Sequence, residues 1–210
     1  NDGAMILPLT SRPIDDYRPT VQAAGAAFLN QAIFPNGSWD ELGAWFDLPM
    51  VESAKPIKPA TDMLRVDAGD SHAFLRAARF SDRPSHADQL HLDLWHKGRN
   101  IAVDAGTFSY NAEPPWQNAL ASTLVHNTAA LNGLDLMKQV TRFLWLNWAQ
   151  AQITRQLFDE AGHLVSVSAQ HNGYAHLGWL HQRTLSAQIS GKWVIDDLLI
   201  PIKKNSQPIS

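Results

Sequence analysis

The stretch QLHLDLWHKGRNIAVDAGT, residues 89–107, decides the fold of this chain. Leucines recur at every second position from Leu90 to Leu94 and alternate with polar or amphipathic side chains, which is the period of a β-strand with one buried face. HKGRN, residues 96–100, predicts a hairpin turn, and the apolar run after it predicts the returning strand. We therefore predict an antiparallel strand pair here.

Strand patterns continue on both sides of this hairpin. Further strands are predicted at 73–80, 141–158, 163–171, 179–188 and 192–200. Because hardly any helical stretch separates them, they favour an antiparallel β-sandwich over a parallel sheet. The predicted fold class is mainly β, with a short helical segment in front of the stacked sheets.

The chain upstream has a helical pattern. Residues 15–34 predict one amphipathic helix, with an apolar face that runs from Val21 to Ala32. A second helix is predicted at 38–47, where Ser38 and Glu41 have the spacing of a capping box.

A stretch with two prolines and no periodicity, residues 55–63, predicts a linker between two domains. The helical segment is therefore assigned to residues 1–54. The β-sandwich is assigned to residues 64–210.

Composition excludes several classes of function. The 210 residues carry 17 Lys and Arg against 20 Asp and Glu, and this net charge of −3 gives no bulk attraction for nucleic acid. Without cysteine the chain has no thiolate catalysis or disulfides. No apolar stretch is long enough for a membrane span. Because the sequence does not start with Met, we expect a piece of a longer protein.

Histidines and carboxylates are concentrated between residues 86 and 126. The cluster comprises His86, Asp88, His91, Asp93, His96, Asp104 and His126. In a chain without cysteine, imidazole and carboxylate are the usual ligands for zinc or a similar divalent ion. The alternative is the polar face of a one-sided antiparallel hairpin, which alternates in the same way.

The run HADQLHLDLWHKGRNIAVDAGTFSYN, residues 86–111, followed by STLVHNTAALNG, residues 122–133, resembles the heparinase II/III-like polysaccharide lyases. The shared features are H-A-D, a strand, a glycine turn, D-x-G-T and a later H-N-T, in this order. The resemblance extends from residue 1 to about 135.

The resemblance implies a divalent metal, usually zinc, held by His86, Asp104 and His126. It also implies an α/α toroid in front of the sheets, an acidic polysaccharide such as a glycosaminoglycan or alginate as substrate, and a periplasmic or secreted location. Such lyases cleave uronic-acid glycans by β-elimination, with their catalytic Tyr on the toroid. A catalytic His often stands two residues before H-A-D, where this chain has Pro84. We therefore expect the isolated chain to be inactive and its metal to be structural.

Geometry alone favours a different partner for Asp104. If residues 97–100 form a simple turn, Asp104 lies opposite His91 or Asp93, and His86 lies about 17 Å further along the strand. His86 and Asp104 can share a metal only if H-A-D folds back over the end of the sheet. His91 is therefore the alternative ligand.

Other side chains are weaker candidates for contacts with a glycan. Tyr110 is the candidate catalytic residue, and Arg79, Arg83 and Trp116 are candidates for substrate binding, although each has an ordinary structural interpretation. A second hypothesis is a non-catalytic carbohydrate-binding or structural sandwich with a structural metal, and a third is a metal hydrolase.

Overall fold

The structure, a computed structural model, describes residues 10–13, 16–49, 62–188 and 191–202. The chain divides into two compact units, and the boundary lies at residues 58 and 59. The described helices of more than one turn lie in the first unit and the strands in the second. In the described part of the chain, no helix has the length and apolar character to cross a membrane.

The first helix is shorter than the sequence predicts. Helix α1 spans Arg18–Ala24 and continues as a π-helical turn to Leu29, so the helix predicted over 15–34 is present but both of its predicted ends were wrong. Asn30 ends it in the left-handed conformation. The predicted buried face was also wrong, because Gln22 is buried while the Phe28 side chain is 85% exposed.

Gln22 explains this orientation. Its side-chain oxygen accepts hydrogen bonds from the backbone N–H groups of Ile33 and Phe34, and its amide nitrogen donates to the Phe34 carbonyl and to Asp40. The Gln22 side-chain amide thus provides hydrogen-bond partners for the backbone groups of the segment that turns back along the helix.

The second helix begins as predicted but is capped by other residues. A 3₁₀ turn at Ser38–Asp40 leads into helix α2, Glu41–Trp45. The Gly37 N–H donates to the Asp40 carboxylate at 2.8 Å, so Asp40 takes the role predicted for Glu41. Glu41 instead accepts from Ser11. Of the predicted linker, residues 55–61 lie outside the described residues, and Met63 already belongs to the first strand.

The described residues of the second unit form ten antiparallel strands. They are β1 Met63–Ala68, β2 Ser71–Arg76, β3 Leu92–His96, β4 Arg99–Ala102, β5 Lys138–Thr141, β6 Leu144–Leu146, β7 Ala151–Phe158, β8 Leu164–His171, β9 Trp179–Ala187 and β10 Trp193–Pro201. One sheet has the order β1-β2-β3-β4 and the other β10-β9-β8-β7, while β5 and β6 pair separately. The predicted antiparallel sandwich is confirmed.

The core lies between the two four-stranded sheets. Leu75 and Val66 from the first sheet meet Val167 and Leu185 from the second, and all four are at most 1% exposed. On β2 every second residue is buried, as the period of two requires. Apolar burial of this kind supplies the main favourable free energy of the fold.

The observed strands differ from the strands predicted from the sequence in three places. The strand predicted over 141–158 is two strands, β6 and β7, separated where Asn147 takes a left-handed conformation. Strands β1 and β5 were not predicted. The strand expected to start at residue 89 starts at Leu92, because Leu90 has a φ of 57° and breaks the extended backbone.

Candidate metal centre

A cleft of about 600 Å³ opens beside β2 and β3 in the sandwich unit. Its lining includes the H-A-D loop and the carboxylate that follows β4. The ionisable side chains in this lining are Arg76, His86, Asp88, His91, Asp93 and Asp104.

Three of the sequence-predicted residues come together here. His86 Nδ1 lies 3.2 Å from His126 Nε2, and His126 Nε2 lies 3.5 Å from Asp104 Oδ2. All three ligand atoms lie within 4.8 Å of one another. Ligands at zinc bond lengths of about 2.0–2.1 Å in a tetrahedron stand about 3.3 Å apart. The spacing therefore fits a small divalent cation.

His126 presents a lone pair to this space. Its Nδ1 lies 2.7 Å from the Ser122 carbonyl, which only accepts, so Nδ1 carries a proton. In the neutral ring Nε2 is then an acceptor, and it faces the Asp104 oxygen. The His126 side chain is fully buried. The Nε2 lone pair can accept the Nδ1–H of a neutral His86 at 3.2 Å or bind a metal ion.

The local backbone fixes Asp104. Gly106 has a φ of 64°, a left-handed conformation that favours glycine, and its N–H donates to Asp104 Oδ1 at 2.6 Å. This turn occupies one carboxylate oxygen and leaves Oδ2 directed at the histidines. The left-handed turn at Gly106 thus explains the glycine of D-x-G-T.

The H-A-D loop folds back over the end of the sheet, as shared coordination by His86 and Asp104 requires. Thr123 Oγ1 donates to the Ala87 carbonyl at 2.7 Å and joins the loop to the segment that carries His126. Arg76 on β2 forms an ion pair with Asp88 at 3.0 Å. These contacts fix the loop from both sides.

Gln89 anchors the same loop to the core. It is fully buried, its Oε1 accepts from the Ala78 N–H, and its Nε2 donates to the carbonyls of Ala78 and Ala149. We expect Gln89→Leu to lower the free energy of unfolding by about 2–3 kcal/mol, because buried backbone groups lose their partners. Urea unfolding measures this loss. The exposed Gln152→Leu is the control, and equal stability of the two variants would contradict the role of Gln89.

His91, the alternative ligand, contacts Asp104 but has no free lone pair. The Asn127 N–H donates to His91 Nδ1 at 3.0 Å, so in the neutral ring the proton lies on Nε2. This Nε2 lies 3.4 Å from Asp104 Oδ2, and it is buried without a hydrogen-bond partner in the described part of the chain. The arrangement suits a second-layer partner of a ligating carboxylate better than a ligand.

Burial keeps the histidines of the cleft neutral. It lowers the pKa of His86 and lowers the pKa of His91 to about 4. Burial also raises the pKa of Asp88, against the opposing effect of Arg76, and the pKa of Asp93. Metals bind only deprotonated imidazole, so the lowered pKa of His86 favours metal binding at neutral pH.

The remaining candidates lie outside the lining of this cleft. Tyr110 packs edge-on against Phe143, and Arg83 donates to the Phe143 carbonyl at 2.7 Å. Trp116 is 59% exposed. Arg79 lines a separate cleft of about 360 Å³ together with polar residues on or next to β7 and β8, such as Gln152 and Gln170. Their roles in catalysis and substrate binding stay predictions.

A second polar cluster escaped the sequence analysis. His171, His181, Arg183 and Asp197 connect β8, β9 and β10, and the two histidines are at most 1% exposed. The signal lies in β9, where His181, Arg183 and Leu185 share the buried face at a period of two. An Arg and a His in line with a core Leu indicate buried, partnered polar groups.

The family comparison bears on the whole sandwich. The family model described as "Heparinase II/III-like, C-terminal" matches residues 59–206, which is most of the chain. The chain belongs to the heparinase II/III-like family. None of the curated proteins matches it. The resemblance seen in H-A-D, D-x-G-T and H-N-T is thereby confirmed.

Solved heparinase structures have a similar fold. A heparinase III, the BT4657 gene product with methylated lysines, is 15% identical with a TM-score of 0.56, over 89% of this chain and 27% of that one. A mutant of the heparan sulfate lyase HepC from Pedobacter heparinus is 17% identical with a TM-score of 0.55, over 88% and 28%. The heparinase II/III-like chain described here thus spans little more than a quarter of these proteins.

Proposed function

We propose that this chain is the sandwich part of a polysaccharide lyase that cleaves uronic-acid-containing acidic glycans by β-elimination. Family membership supports the reaction class. In β-elimination a base removes the proton alpha to the carboxyl group, the carboxylate charge is neutralised, and an acid protonates the leaving oxygen. The other partner would be a helical toroid, and the proposed location is periplasmic or secreted, where such glycans occur.

The single observation that carries the proposal is the convergence of His86, Asp104 and His126, the first two of which line the cleft. These residues would hold a divalent metal, with zinc the best match to two imidazoles and one carboxylate. The metal would supply two positive charges and join three separate segments of the chain. His91 would lie behind Asp104, with its Nε2 at 3.4 Å from Asp104 Oδ2.

The charge of the cleft supports a cation at this place. Arg76 and Asp88 compensate each other, which leaves Asp93 and Asp104 as the remaining acidic residues in the lining of the cleft. Two negative charges would repel an acidic glycan, whereas a bound divalent cation cancels them. The metal would therefore make this wall compatible with a polyanion.

A structural role for the metal follows from the side chains available. Among the described residues that line the cleft there is no tyrosine, His86 would be occupied by the metal, and His91 Nδ1 accepts from the Asn127 N–H. The residues that move protons would then come from the toroid. This chain would supply a rigid wall, and it would be inactive alone.

A non-catalytic sandwich with a structural metal is the second candidate, because Pro84 stands where related lyases often have a catalytic His. The test is an assay of the longer protein that contains this chain and a toroid, on heparan sulfate, alginate and a neutral glycan. We expect ultraviolet-absorbing unsaturated products from an acidic glycan only. New reducing ends without this absorbance would indicate a hydrolase, and no cleavage would favour the non-catalytic sandwich.

A further inference from the structure

Arg183 lies buried in β9, in the sheet opposite the H-A-D loop. Its side chain is 7% exposed, and it forms a two-pronged ion pair with Asp197 on β10, with Nε and Nη2 each 2.8 Å from a carboxylate oxygen. Such a pair fixes the plane of the guanidinium. The remaining terminal nitrogen, Nη1, is thereby aimed away from Asp197.

That nitrogen binds two backbone carbonyls on both sides of the candidate metal centre. Arg183 Nη1 donates to the Leu90 carbonyl at 2.8 Å and also to the Asn127 carbonyl. Leu90 directly precedes His91, and Asn127 directly follows His126. One buried guanidinium therefore holds two segments that are far apart in the sequence.

Asn127 connects Arg183 to each part of the candidate metal centre. Its N–H donates to His91 Nδ1, and its side-chain nitrogen donates to the Val103 carbonyl at 3.0 Å, next to Asp104. Its position also fixes the backbone of His126. A shift of Asn127 would therefore move His126, release His91 and loosen Asp104 together.

Leu90 needs such a restraint. Its φ of 57° is a left-handed conformation that costs a non-glycine residue about 1–2 kcal/mol. Its N–H donates to the Arg76 carbonyl at 2.8 Å, and its own carbonyl accepts from Arg183. This kink is what turns H-A-D back over the sheet, so it determines where His86 lies.

We propose that Arg183 is a positioning residue for the metal centre, holding the segments of His86 and His126 at the separation that a divalent cation requires. This inference rests on the proposed metal site. It separates two functions within one side chain: the ion pair with Asp197 stabilises the second sheet, and the two carbonyl contacts set the geometry of the ligands.

The test compares zinc affinity with stability for variants of the 210-residue chain. Zinc dissociation constants are measured by competition with a chelating dye, and stability by thermal unfolding of the metal-free protein. For Arg183→Met we expect about tenfold weaker zinc binding, in the range found for residues behind metal ligands. Arg155→Met, an exposed position in the same sheet, is the matched control and should bind zinc like the unsubstituted chain.

Asp197→Asn separates positioning from general stability. It weakens the ion pair but leaves both carbonyl contacts of Arg183, so melting should fall with less than a threefold change in zinc affinity. Arg183→Lys keeps the charge for Asp197 but its single ammonium cannot make all four contacts. We expect it to fold and to bind zinc more weakly, which keeps the proposal testable if Arg183→Met does not fold.

The outcomes distinguish this proposal from the metal site itself. If Arg183→Met, or Arg183→Lys in its place, melts earlier but binds zinc as tightly as the unsubstituted chain, Arg183 is only structural and the proposal is overturned. If the unsubstituted chain binds no zinc, the metal site is wrong instead. A tenfold loss confined to the Arg183 variants supports the positioning role.

Discussion

Replacing His126 by alanine should abolish the stabilisation of this chain by zinc. The substitution removes one of the three proposed ligands, and the His126 Nε2 lies 3.2 Å from His86 Nδ1 and 3.5 Å from Asp104 Oδ2. A ligand that binds only the folded state stabilises it by about 2.7 kcal/mol when its free concentration is a hundred times its dissociation constant. Thermal unfolding of the unsubstituted chain should therefore shift upward with zinc and downward with chelator, while His126→Ala shows neither shift.

The same variant should also be less stable without metal. The His126 side chain is fully buried, and its Nδ1–H bonds to the Ser122 carbonyl. Loss of this packing and hydrogen bond should cost about 2–3 kcal/mol in the metal-free protein. The control is His163→Ala, in an exposed turn with Asp159, which should keep the full response to zinc.

The decisive comparison is made in the longer protein that we propose to be a lyase. If the metal is structural, His126→Ala lowers the melting temperature far more than it lowers the lyase rate of the protein that remains folded. Normal melting, with and without chelator, combined with lost turnover would show that the metal takes part in the reaction.

The sequence predicts the sandwich because alternation is a local property. In β2 the period of two appears directly as alternate burial, and the hairpin turn is indicated by Gly98, a residue type that tolerates a left-handed backbone. Where the backbone depends on distant partners, the prediction fails. The helix expected over 15–34 ends early because Gln22 binds the returning chain rather than solvent.

The residues of the proposed metal site also depend on distant contacts that the local sequence does not reveal. Spacing along a regular strand separates His86 from Asp104 and favours His91, and only the family resemblance selects His86. The structure brings His86 and Asp104 close because Leu90 leaves the extended conformation, and leucine gives no local signal for that. The contacts that hold it come from Arg76 and from Arg183, which is 93 residues away.

The buried histidines make stability depend on pH, and His171 allows the clearest measurement. It is 1% exposed, its Nδ1 accepts from the Gly173 N–H, and its Nε2 donates to His181, which in turn donates to Asp197. Burial, with a smaller effect of His181, lowers the pKa of His171 to about 3. The folded protein therefore holds this ring neutral well below the ordinary histidine pKa of about 6.5.

The sign follows from proton counting. Between about pH 6.5 and pH 3 the unfolded chain binds a proton at His171 and the folded chain does not, so stability is complete above pH 6.5 and falls as the pH falls. One proton corresponds to about 1.4 kcal/mol per pH unit. His171→Gln retains an acceptor and a donor but does not titrate.

We therefore expect the stability of His171→Gln to fall less steeply by about 1.4 kcal/mol per pH unit between pH 6 and pH 4.5, measured by urea unfolding in chelator. His86 and His91, whose pKa values are also lowered, contribute equally in both proteins and cancel in the difference. The lowered pKa of Asp197 acts at more acidic pH, outside this window. His176→Gln, at an exposed position, should follow the unsubstituted chain. Parallel pH profiles for His171→Gln and the unsubstituted chain would show that His171 is protonated in the folded protein, which its two hydrogen bonds forbid.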